Sequence, residues 1–533
     1  MSNEQKQLLE KQLWAVANTL RGKMNADEYK NYILGFIFYK YLSERLEKYV
    51  DEQVLHNDNL KFRDLTANTP KNEEILKVVK SACIDHLGFF LKPTELYNYI
   101  YLKGKSSLDN NSEDEKSSSF ILSGLQSIFN SIESTSMGTD SEDDFKGLFD
   151  DVDLTSSKLG STPNKQNKVI VEVLKELSKI DFKLEDSKND LLGDAYEYLI
   201  GEFAAGAGKK GGEFYTPAQV SRLLAKIVTH GKSKIKSVLD PTCGSGSLLL
   251  RVKDYADVNH YYGQELNPTT YNLARMNMIL HGVHFDNFSI KQGDTLTEDR
   301  FEEIDLKAEA IVANPPFGIG WGGEDDPILA QDERFSQYGR LAPKGSAEYA
   351  FVTHMIYHLS DNGTMAIILP HGVLFKGAAD GTIRKYIVEK LNYLDTVIGL
   401  PANLFYGAAI PTCVLIFKKC RKEDDDILFI DASKEFQKNK NQNYLTDGNI
   451  QKIFETYIER KEIEKYSHKA ILEEIKENDF NLNIPRYVDS FEEEAEIDIE
   501  EVANKLKELQ KEEEKSKTEL EKFCKELGIR TPF

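Results

Sequence analysis

The sequence predicts a parallel, doubly wound α/β sheet that follows a helical region and precedes a helical tail. From about residue 238, short apolar strands alternate with helical patterns, which is typical of parallel sheets with helical connections. The chain has 533 residues, too many for one ordinary domain. We therefore predict a helical N-terminal domain over 1–165, an α/β domain over 166–480 and a C-terminal helical tail over 481–533.

The N-terminal region carries apolar side chains at helical spacing after Asn25, which predicts a helix with Asn25 as its N-cap. Two polar stretches lack this periodicity. Residues 104–119 predict a surface loop, and residues 155–168 predict a linker. A further helix is predicted over 191–204, shortly before the sheet begins.

Seven strands are predicted in the α/β domain, and in chain order they read SVLDP, HYYGQEL, FSIKQGD, EAIVANPPF, GTMAIILP, DTVIGLP and TCVLIFKK. Helical patterns lie between several of them, for example over 269–281 and 347–359. The last strands are closer together in the chain, which favours an antiparallel addition at one edge of the sheet.

The chain carries 67 basic and 88 acidic residues, a net charge of −21. Phosphate backbones repel such a surface, so a nucleic-acid ligand would have to be held by a partner or by a local patch. The five cysteines form no CxxC pair and no HExxH occurs, which argues against a disulfide framework and a structural zinc site. No apolar segment is long enough for a signal peptide or a membrane span, so we expect a cytoplasmic protein.

The first predicted strand ends at Asp240 and leads through a glycine turn into a helix, with the sequence DPTCGSGS. Gly244 and Gly246 carry no side chains, so a ligand can approach the backbone there. In doubly wound folds, small ligands bind beside such turns. The pattern is neither GxGxxG nor a P-loop, and a purely structural strand-to-helix turn stays open.

Two acidic residues end the next two strands. Glu265 follows Asp240 by 25 residues, a spacing that suits a carboxylate accepting both ribose hydroxyls of an adenosine-type cofactor. Asp294 ends the third strand, where it could accept the adenine amino group of the same ligand. A helix N-cap or a surface carboxylate is the alternative for Glu265, and Asp294 is the less specific of the two.

The fourth strand ends in Asn314-Pro315-Pro316-Phe317, which we predict to be the catalytic segment. An amide oxygen, a proline carbonyl and a flat ring can together grip a planar group that bears an exocyclic NH2. The nitrogen of such a group is a poor nucleophile because its lone pair is delocalised. Two acceptors on its hydrogens free the lone pair, and oriented dipoles stabilise the developing positive charge, so neither a metal nor a covalent nucleophile is needed.

The tail predicts an amphipathic helix with one apolar seam, which Glu513 and Ser516 interrupt. The seam residues are Ile499, Val502, Leu506, Leu509, Leu520, Phe523 and Leu527. Such a helix either folds back onto its own domain or docks on another chain. The broken register disfavours a long homodimeric coiled coil.

These motifs resemble those of class I, S-adenosylmethionine-dependent amino-methyltransferases. DPTCGSGS resembles their motif I, and NPPF resembles their amine-methylation motif IV. The upstream segment EFYTPA resembles motif X, and the order X, I, IV resembles that of γ-type DNA N6-adenine methyltransferases. Over nearly its full length, with GGEFYTP and NLNIPRY among the matching segments, the chain is similar to the modification (M) subunit of Type I restriction-modification systems.

The resemblance implies the Rossmann-like fold of class I methyltransferases, with S-adenosylmethionine as cofactor and no metal. It implies a cofactor site at motif X, at the motif I loop and at the two acidic strand ends, namely Glu213, Phe214, Tyr215, Thr216, Pro217, Ala218, Asp240, Gly244, Ser245, Gly246, Ser247, Glu265 and Asp294. The implied catalytic residues are Asn314, Pro315, Pro316 and Phe317, which would hold a target adenine flipped out of the duplex.

The resemblance also implies partners. Two M subunits would flank a specificity (S) subunit that selects the DNA sequence, and a restriction (R) subunit would complete the nuclease. The chain would reach double-stranded DNA through this complex and would contact no membrane. The expected reaction is methyl transfer to N6 of adenine in duplex DNA. The alternatives are N4 of cytosine, a protein glutamine amide, and a non-catalytic assembly subunit.

Overall fold

The computed structural model describes residues 3–20, 24, 26–56, 60–109, 120–182, 191–207, 215–406, 409–422, 425–439, 442–489 and 499–532. The chain divides into two compact units, residues 1–488 and residues 489–533. The first unit contains a helical region and a sheet, and the second contains one long helix. The domain boundaries proposed from the sequence, at 165/166 and 480/481, stay predictions.

The helical region contains α1 (Asn3–Asn18), α2 (Ala26–Tyr49), α3 (Pro70–Leu87), α4 (Tyr97–Asp109), α5 (Leu122–Ser136), α6 (Glu142–Phe145), α7 (Pro163–Ser178) and α8 (Leu191–Ala207). Two of these helices start with a proline behind a capping threonine. Thr69 caps α3 and Thr162 caps α7, and each side chain accepts a backbone N–H of the first turn. The predicted helix after Asn25 is α2, although Asn25 itself lies outside the described residues.

Both polar stretches of this region are partly helical, so their sequence predictions were wrong in part. α4 extends through residues 104–109, while residues 110–119 lie outside the described part of the chain. α7 begins within the predicted linker, where Asn167 is buried and its Oδ1 accepts the N–H of Ile121 at 2.9 Å. The Asn167 side chain is thus satisfied by a tertiary hydrogen bond rather than by solvent, which the local sequence does not reveal.

The elements that follow are α9 (Ala218–Thr229), β1 (Lys234–Asp240), α10 (Ser247–Leu250), β2 (Asp257–Glu265), α11 (Pro268–Leu280), β3 (Phe288–Gln292), β4 (Ala308–Ala313), α12 (Glu333–Ser336), α13 (Glu348–His358), β5 (Leu359–Pro370), α14 (Gly372–Phe375), α15 (Ala378–Lys385), β6 (Leu394–Gly399), β7 (Thr412–Lys418), β8 (Ile427–Asp431), β9 (Gln437–Asn439), β10 (Gln442–Tyr444), α16 (Asp447–Glu459), β11 (Ser467–Ala470) and α17 (Leu472–Glu477).

Nine of the described strands form one sheet in the order β11-β8-β6-β7-β5-β4-β1-β2-β3, and β9 pairs with β10 separately. β1 is parallel to β2 on one side and to β4 on the other. The winding direction therefore reverses beside β1, and open α/β sheets bind ligands at such a switch point, outside the carboxyl ends of the strands. The predicted doubly wound α/β fold class is confirmed, in the form of a mixed sheet.

The antiparallel strand β7 lies inside the sheet, between β5 and β6, so its expected position at an edge was wrong. Residues 412–417 of β7 are all buried, because neighbouring strands and both covering layers enclose it. The edge strand on that side is β11, which pairs with β8 in antiparallel orientation.

Buried side chains cover both faces of the sheet. In β4, Ala310 and Val312 belong to one buried cluster, whereas Ile311 and Ala313 belong to a second cluster. This is the alternation that a strand covered on two faces requires. The first cluster also includes Phe203 of α8, so the helical region shares a core with one face of the sheet.

The last helix, α18 (Ile499–Leu527), has the amphipathic character that the sequence predicts. Its large apolar side chains are exposed, and they are Val502, Leu506, Leu509, Leu520, Phe523 and Leu527. No helix in the described ranges combines the length and the apolarity that a membrane crossing requires.

Arg275 of α11 joins the helical region to the sheet and is only 1% exposed. Its Nη1 donates to the carbonyl oxygens of Asp143 and Lys146 at 2.6 and 2.9 Å, and its Nη2 donates to Asn272 at 2.5 Å. The guanidinium also lies 4.1 Å from the ring centroid of Tyr271. One buried cation therefore satisfies two carbonyls of the segment around α6.

Replacing Arg275 with methionine should lower the free energy of unfolding by about 3 kcal/mol, because it leaves buried carbonyls without donors. Urea denaturation of the full chain measures this loss. Arg63→Met is the matched control, since the Arg63 side chain is 58% exposed and its ion pair with Glu47 should contribute less than about 1 kcal/mol. Equal effects of the two substitutions would contradict the assigned role.

Candidate active site

The loop after β1 is shaped by two glycines with left-handed backbone. Gly244 has φ 55° and Gly246 has φ 77°, a region that side chains disfavour. The N–H of Gly246 donates to the carbonyl of Cys243 at 2.8 Å, and α10 starts at the next residue. Asp240 at the end of β1 accepts the N–H of Thr242 at 3.0 Å. Burial raises the pKa of the Asp240 carboxyl to about 7.

The same loop packs closely on β2. The N–H of Cys243 donates to the carbonyl of Gln264 at 2.9 Å. A Cβ at Gly263 would lie 3.0 Å from the Cys243 sulfur and 2.7 Å from Cδ1 of Ile290. Gly263 is therefore required by close approach of the loop and of β3 rather than by its own φ angle.

Glu265 fixes the backbone of this turn from the end of β2. Its Oε2 accepts the N–H of Gly244 at 3.0 Å, and its Oε1 accepts the N–H of Asn267 at 2.8 Å. Burial raises the pKa of this carboxyl, and the backbone hydrogen bonds oppose that rise. Each oxygen keeps a further lone pair, so the carboxylate can still accept hydrogen bonds from a ligand.

Asp294 lies next to the end of β2. The N–H of Gly293 donates to the carbonyl of Glu265 at 3.0 Å. The Asp294 Oδ1 accepts the N–H of Leu296 at 3.0 Å, which fixes the turn after β3. Neither Glu265 nor Asp294 belongs to the lining of the pocket described next.

A small pocket lies where the loops after β1 and β4 meet the segment before α9. It is lined by Tyr215, Thr216, Asp240, Thr242, Cys243, Gly244, Ser245, Ser247, Leu248 and Asn314. The structure thus brings three sequence motifs, X, I and IV, to one pocket. Pro217 is the N-cap of α9 and Ala218 is its first residue, whereas Glu213 and Phe214 lie outside the described residues.

Asn314 has one end of its amide bonded and the other end open. Its Nδ2 donates to Oγ1 of Thr216 at 3.1 Å. Its Oδ1 is buried and has no hydrogen-bond partner among the residues that the structure describes. A buried acceptor without a donor is costly, so this oxygen is suited to a ligand that brings an N–H.

The residues after Asn314 lead from the pocket to an aromatic cluster. Pro315 is buried, and Pro316 and Phe317 are half-buried. The Phe317 ring lies 6.3 Å from that of Phe405 in an edge-to-face arrangement. The next N–H, that of Gly318, donates to the buried Glu348 carboxylate at 3.0 Å, which holds the end of the segment.

Phe405 and Tyr406 were missed by the sequence analysis. Tyr406 lies 6.2 Å from Tyr215, so both residues are near predicted site residues. They belong to the segment LPANLFYG after β6. The available signal was their position behind a strand of the sheet, although that edge also receives many residues without a role in a site.

One group of metal-type ligands occurs among the described residues, namely Asp299, His354 and His358, whose ligand atoms lie within 4.8 Å of one another. His358 contacts Asp299 at 2.9 Å and the carbonyl of Leu306 at 2.8 Å. Leu306 precedes β4, so the group lies near the amino end of this strand, whereas the pocket lies beyond its carboxyl end. Arg334 donates to His354 Nδ1 at 3.1 Å, and this fixed cation opposes binding of a metal there.

The sequence models of two families match the chain. The N-6 DNA methylase family matches residues 187–496, and the HsdM N-terminal domain matches residues 9–177.

Methylase subunits of Type I restriction enzymes are similar to the chain in sequence. The Type I restriction enzyme MpnII methylase subunit of Mycoplasma pneumoniae is 37% identical over 541 residues, which cover 99% of this chain and 97% of the relative. The HindI methylase subunit of Haemophilus influenzae is 34% identical over 64% of this chain and 78% of its own length.

A solved structure extends the likeness to three dimensions. The crystal structure of a type I restriction-modification methyltransferase subunit from Streptococcus thermophilus superimposes with a TM-score of 0.81, at 42% identity, over 91% of this chain and 99% of that chain. The chain belongs to the N-6 DNA methylase family and, within it, to the methylase subunits of Type I restriction enzymes.

Proposed function

We propose that this chain transfers a methyl group from S-adenosylmethionine to N6 of adenine in duplex DNA, as the M subunit of a Type I restriction-modification complex. The observation that carries the proposal is the unpartnered Oδ1 of Asn314, which lies in one pocket with the glycine turn after β1. An acceptor for an amine and a cradle for a cofactor are thereby adjacent.

Asn314 and Pro315 provide two acceptors for the target amine. The amide oxygen of Asn314 and the carbonyl of Pro315 accept the two hydrogens of the adenine N6, which draws this nitrogen toward tetrahedral geometry. The lone pair then leaves the ring system and becomes nucleophilic. The two oxygens also stabilise the positive charge that develops on the nitrogen, and their fixed orientation requires little reorganisation.

The Phe317 ring provides a flat surface for the base, and Phe405 packs against it edge-to-face. A flipped adenine has lost its stacking neighbours in the duplex, and an aromatic side chain replaces part of that contact. The hydrogen bond from Gly318 to Glu348 fixes the backbone behind Phe317, so the ring is oriented before the base arrives.

The residues of the pocket fit S-adenosylmethionine, which supplies a methyl group on a positively charged sulfur. Gly244 lines the pocket with Tyr215 and Thr216, and its left-handed backbone without a side chain lets the methionine part approach. Glu265 and Asp294 lie outside this lining. Glu265 keeps lone pairs for ribose hydroxyls, and the turn that carries Asp294 is bonded to the Glu265 carbonyl, which supports a contact of Asp294 with the adenine amino group.

Other substrates have the same planar NH2 chemistry. N4 of cytosine and a glutamine amide would also donate to Asn314 and Pro315, and a non-catalytic subunit would need neither. Membership of the N-6 DNA methylase family favours adenine, and the open acceptor of Asn314 favours catalysis over assembly alone.

We propose that the partners are one S subunit shared by two copies of this chain, an R subunit, and DNA that is held through the complex. The net charge of −21 supports this division, since an acidic chain gains little from phosphate contacts of its own. The exposed apolar seam of α18 is the proposed contact with S. Such a complex acts on cellular DNA, so we propose a cytoplasmic location.

Co-expression with the S subunit of the same system should give N6-methyladenine at one DNA sequence. Mass spectrometry of nucleosides distinguishes this product from N4-methylcytosine, and single-molecule sequencing maps the modified bases. Asn314→Ala should lower kcat by about 10²–10³-fold, because one of the two acceptors is lost. Its dissociation constant for S-adenosylmethionine should stay within about threefold of the wild type.

The control for this substitution is Asn130→Ala on α5, where the asparagine is exposed and bonds only weakly to Gln126 at 3.3 Å. Its rate should match the wild type. An Asn314→Ala enzyme of normal rate would refute the catalytic assignment, and N4-methylcytosine as the product would refute the substrate.

Deletion of residues 490–533 should abolish co-purification with the S subunit and leave cofactor binding intact. The double substitution Leu506→Asp, Leu509→Asp should have the same effect, because it places charges on the apolar seam. The control is Lys511→Asp, which lies on the same helix outside the apolar seam and should leave co-purification with the S subunit unchanged. Normal co-purification of the truncated chain with the S subunit would contradict the proposed role of α18.

Methyl transfer should continue after metal removal, because the two oxygens of Asn314 and Pro315 polarise the amine. The rate after dialysis against EDTA should stay within about twofold of the untreated rate. A tenfold drop that added Zn²⁺ reverses would contradict this view and would point to Asp299, His354 and His358.

A further inference from the structure

We propose that Thr216 orients the side-chain amide of Asn314, so that its oxygen rather than its nitrogen meets the target amine. This inference rests on the proposed function. It makes Thr216 a positioning residue for methyl transfer, in addition to its expected place beside the cofactor.

The hydrogen bond between Thr216 and Asn314 engages the amide nitrogen of Asn314 and leaves its amide oxygen open to a ligand. Asn314 Nδ2 donates to Thr216 Oγ1 at 3.1 Å, and Thr216 is only 7% exposed. The Asn314 Oδ1 is buried and has no bonding partner within the described part of the chain. Both residues line the same pocket.

The orientation of this amide decides whether the site can work. A rotation by about 180° about the last side-chain bond exchanges the acceptor oxygen with the donor NH2. The adenine amine brings N–H donors, so an Asn314 nitrogen in the open position would set donor against donor. The amine would then keep its delocalised lone pair, and no charge stabilisation would follow.

Thr216 selects the productive orientation by accepting a hydrogen bond. Its hydroxyl oxygen has lone pairs, and one of them accepts a hydrogen from Asn314 Nδ2. In the observed orientation, the amide donor is paired with Thr216 and the oxygen is available for the amine. In the reverse orientation the Thr216 hydroxyl could donate to the amide oxygen, but the N–H groups of Asn314 Nδ2 would then face the N–H groups of the target amine.

The backbone around Thr216 is fixed on both sides. The N–H of Val220 donates to the carbonyl of Pro217 at 2.9 Å, and the Ser221 hydroxyl donates to the carbonyl of Thr216 at 3.5 Å. On the other side, a Cβ at Gly201 of α8 would lie 3.2 Å from the Tyr215 hydroxyl. The backbone that carries Thr216 is therefore hydrogen-bonded and packed before any ligand binds.

Thr216→Val and Thr216→Ser test the role of this hydroxyl in the complex with the S subunit and its mapped DNA site. Valine keeps the shape of threonine and removes the acceptor, so kcat at saturating cofactor and DNA should fall about tenfold. Serine keeps the hydroxyl, so its kcat should stay within about twofold of the wild type. Thr216→Ala also lacks the hydroxyl and should behave like Thr216→Val. The dissociation constant for S-adenosylmethionine is measured for each variant by calorimetry.

A second measurement isolates the contact with the amine. DNA carrying purine in place of the target adenine lacks the exocyclic NH2, and its binding is measured with a cofactor analogue that has no transferable methyl group. Thr216→Val should weaken binding of the adenine site about tenfold relative to the wild type and leave binding of the purine site unchanged. A purely structural bond between the two side chains would predict equal changes for both DNAs.

Three results would overturn the inference: a kcat loss in Thr216→Ser as large as in Thr216→Val, an effect confined to cofactor affinity, or equal weakening of the two DNAs. Each of these results leaves N6-methyladenine formation by the wild-type complex in place. Failure of the proposed function is distinct, because the wild-type complex would then form no N6-methyladenine at all.

Discussion

The site depends on the parallel pairing of β1 with β4, in which Val238 lies opposite Ala310 and Leu239 lies opposite Ile311. This register brings the carboxyl ends of the two strands to the same edge of the sheet. The glycine turn after Asp240 and the amide of Asn314 are therefore neighbours, although they are far apart in the chain. A methyl donor and its acceptor have to lie within about 3–3.5 Å, and this pairing provides the proximity.

Backbone N–H groups hold the acidic residues of the site. Glu265 binds the amides of Gly244 and Asn267, and Asp240 binds the amide of Thr242. Both carboxyls are largely buried, which raises their pKa values, while these hydrogen bonds favour the ionised forms. The turn thus has a fixed shape without help from a ligand, and the spare lone pairs of Glu265 stay available.

The ends of the strands were predictable from the sequence because each of the first four predicted strands stops at a polar residue. Asp240 and Asn314 follow apolar runs and line the pocket, whereas Glu265 and Asp294 end more polar strands and lie outside its lining. The bond between Asn314 and Thr216 was not predictable, because the two residues are 98 positions apart and no local pattern links them.

Two further features depended on contacts across the fold. Phe405 meets Phe317 although the two residues follow different strands, β6 and β4, which β7 and β5 separate in the sheet, and no local pattern in the sequence links them. The position of β7 inside the sheet follows from its pairing with β5 and β6, whereas the chain order favoured an edge. The helical part of the predicted linker likewise depends on a tertiary contact, because Asn167 of α7 is buried and accepts the N–H of Ile121.

The helix α11 connects the end of β2 with the segment around α6. Its first turn follows directly on Glu265, and its Asn267 cap is the residue whose amide that carboxylate holds. Further along, Asn272 donates to the carbonyl of Gly147 at 3.1 Å, and Arg275 donates to carbonyls of the same segment. A displacement of the segment around α6 would therefore reach the end of β2, where Glu265 holds the amides of Asn267 and of Gly244 in the glycine turn.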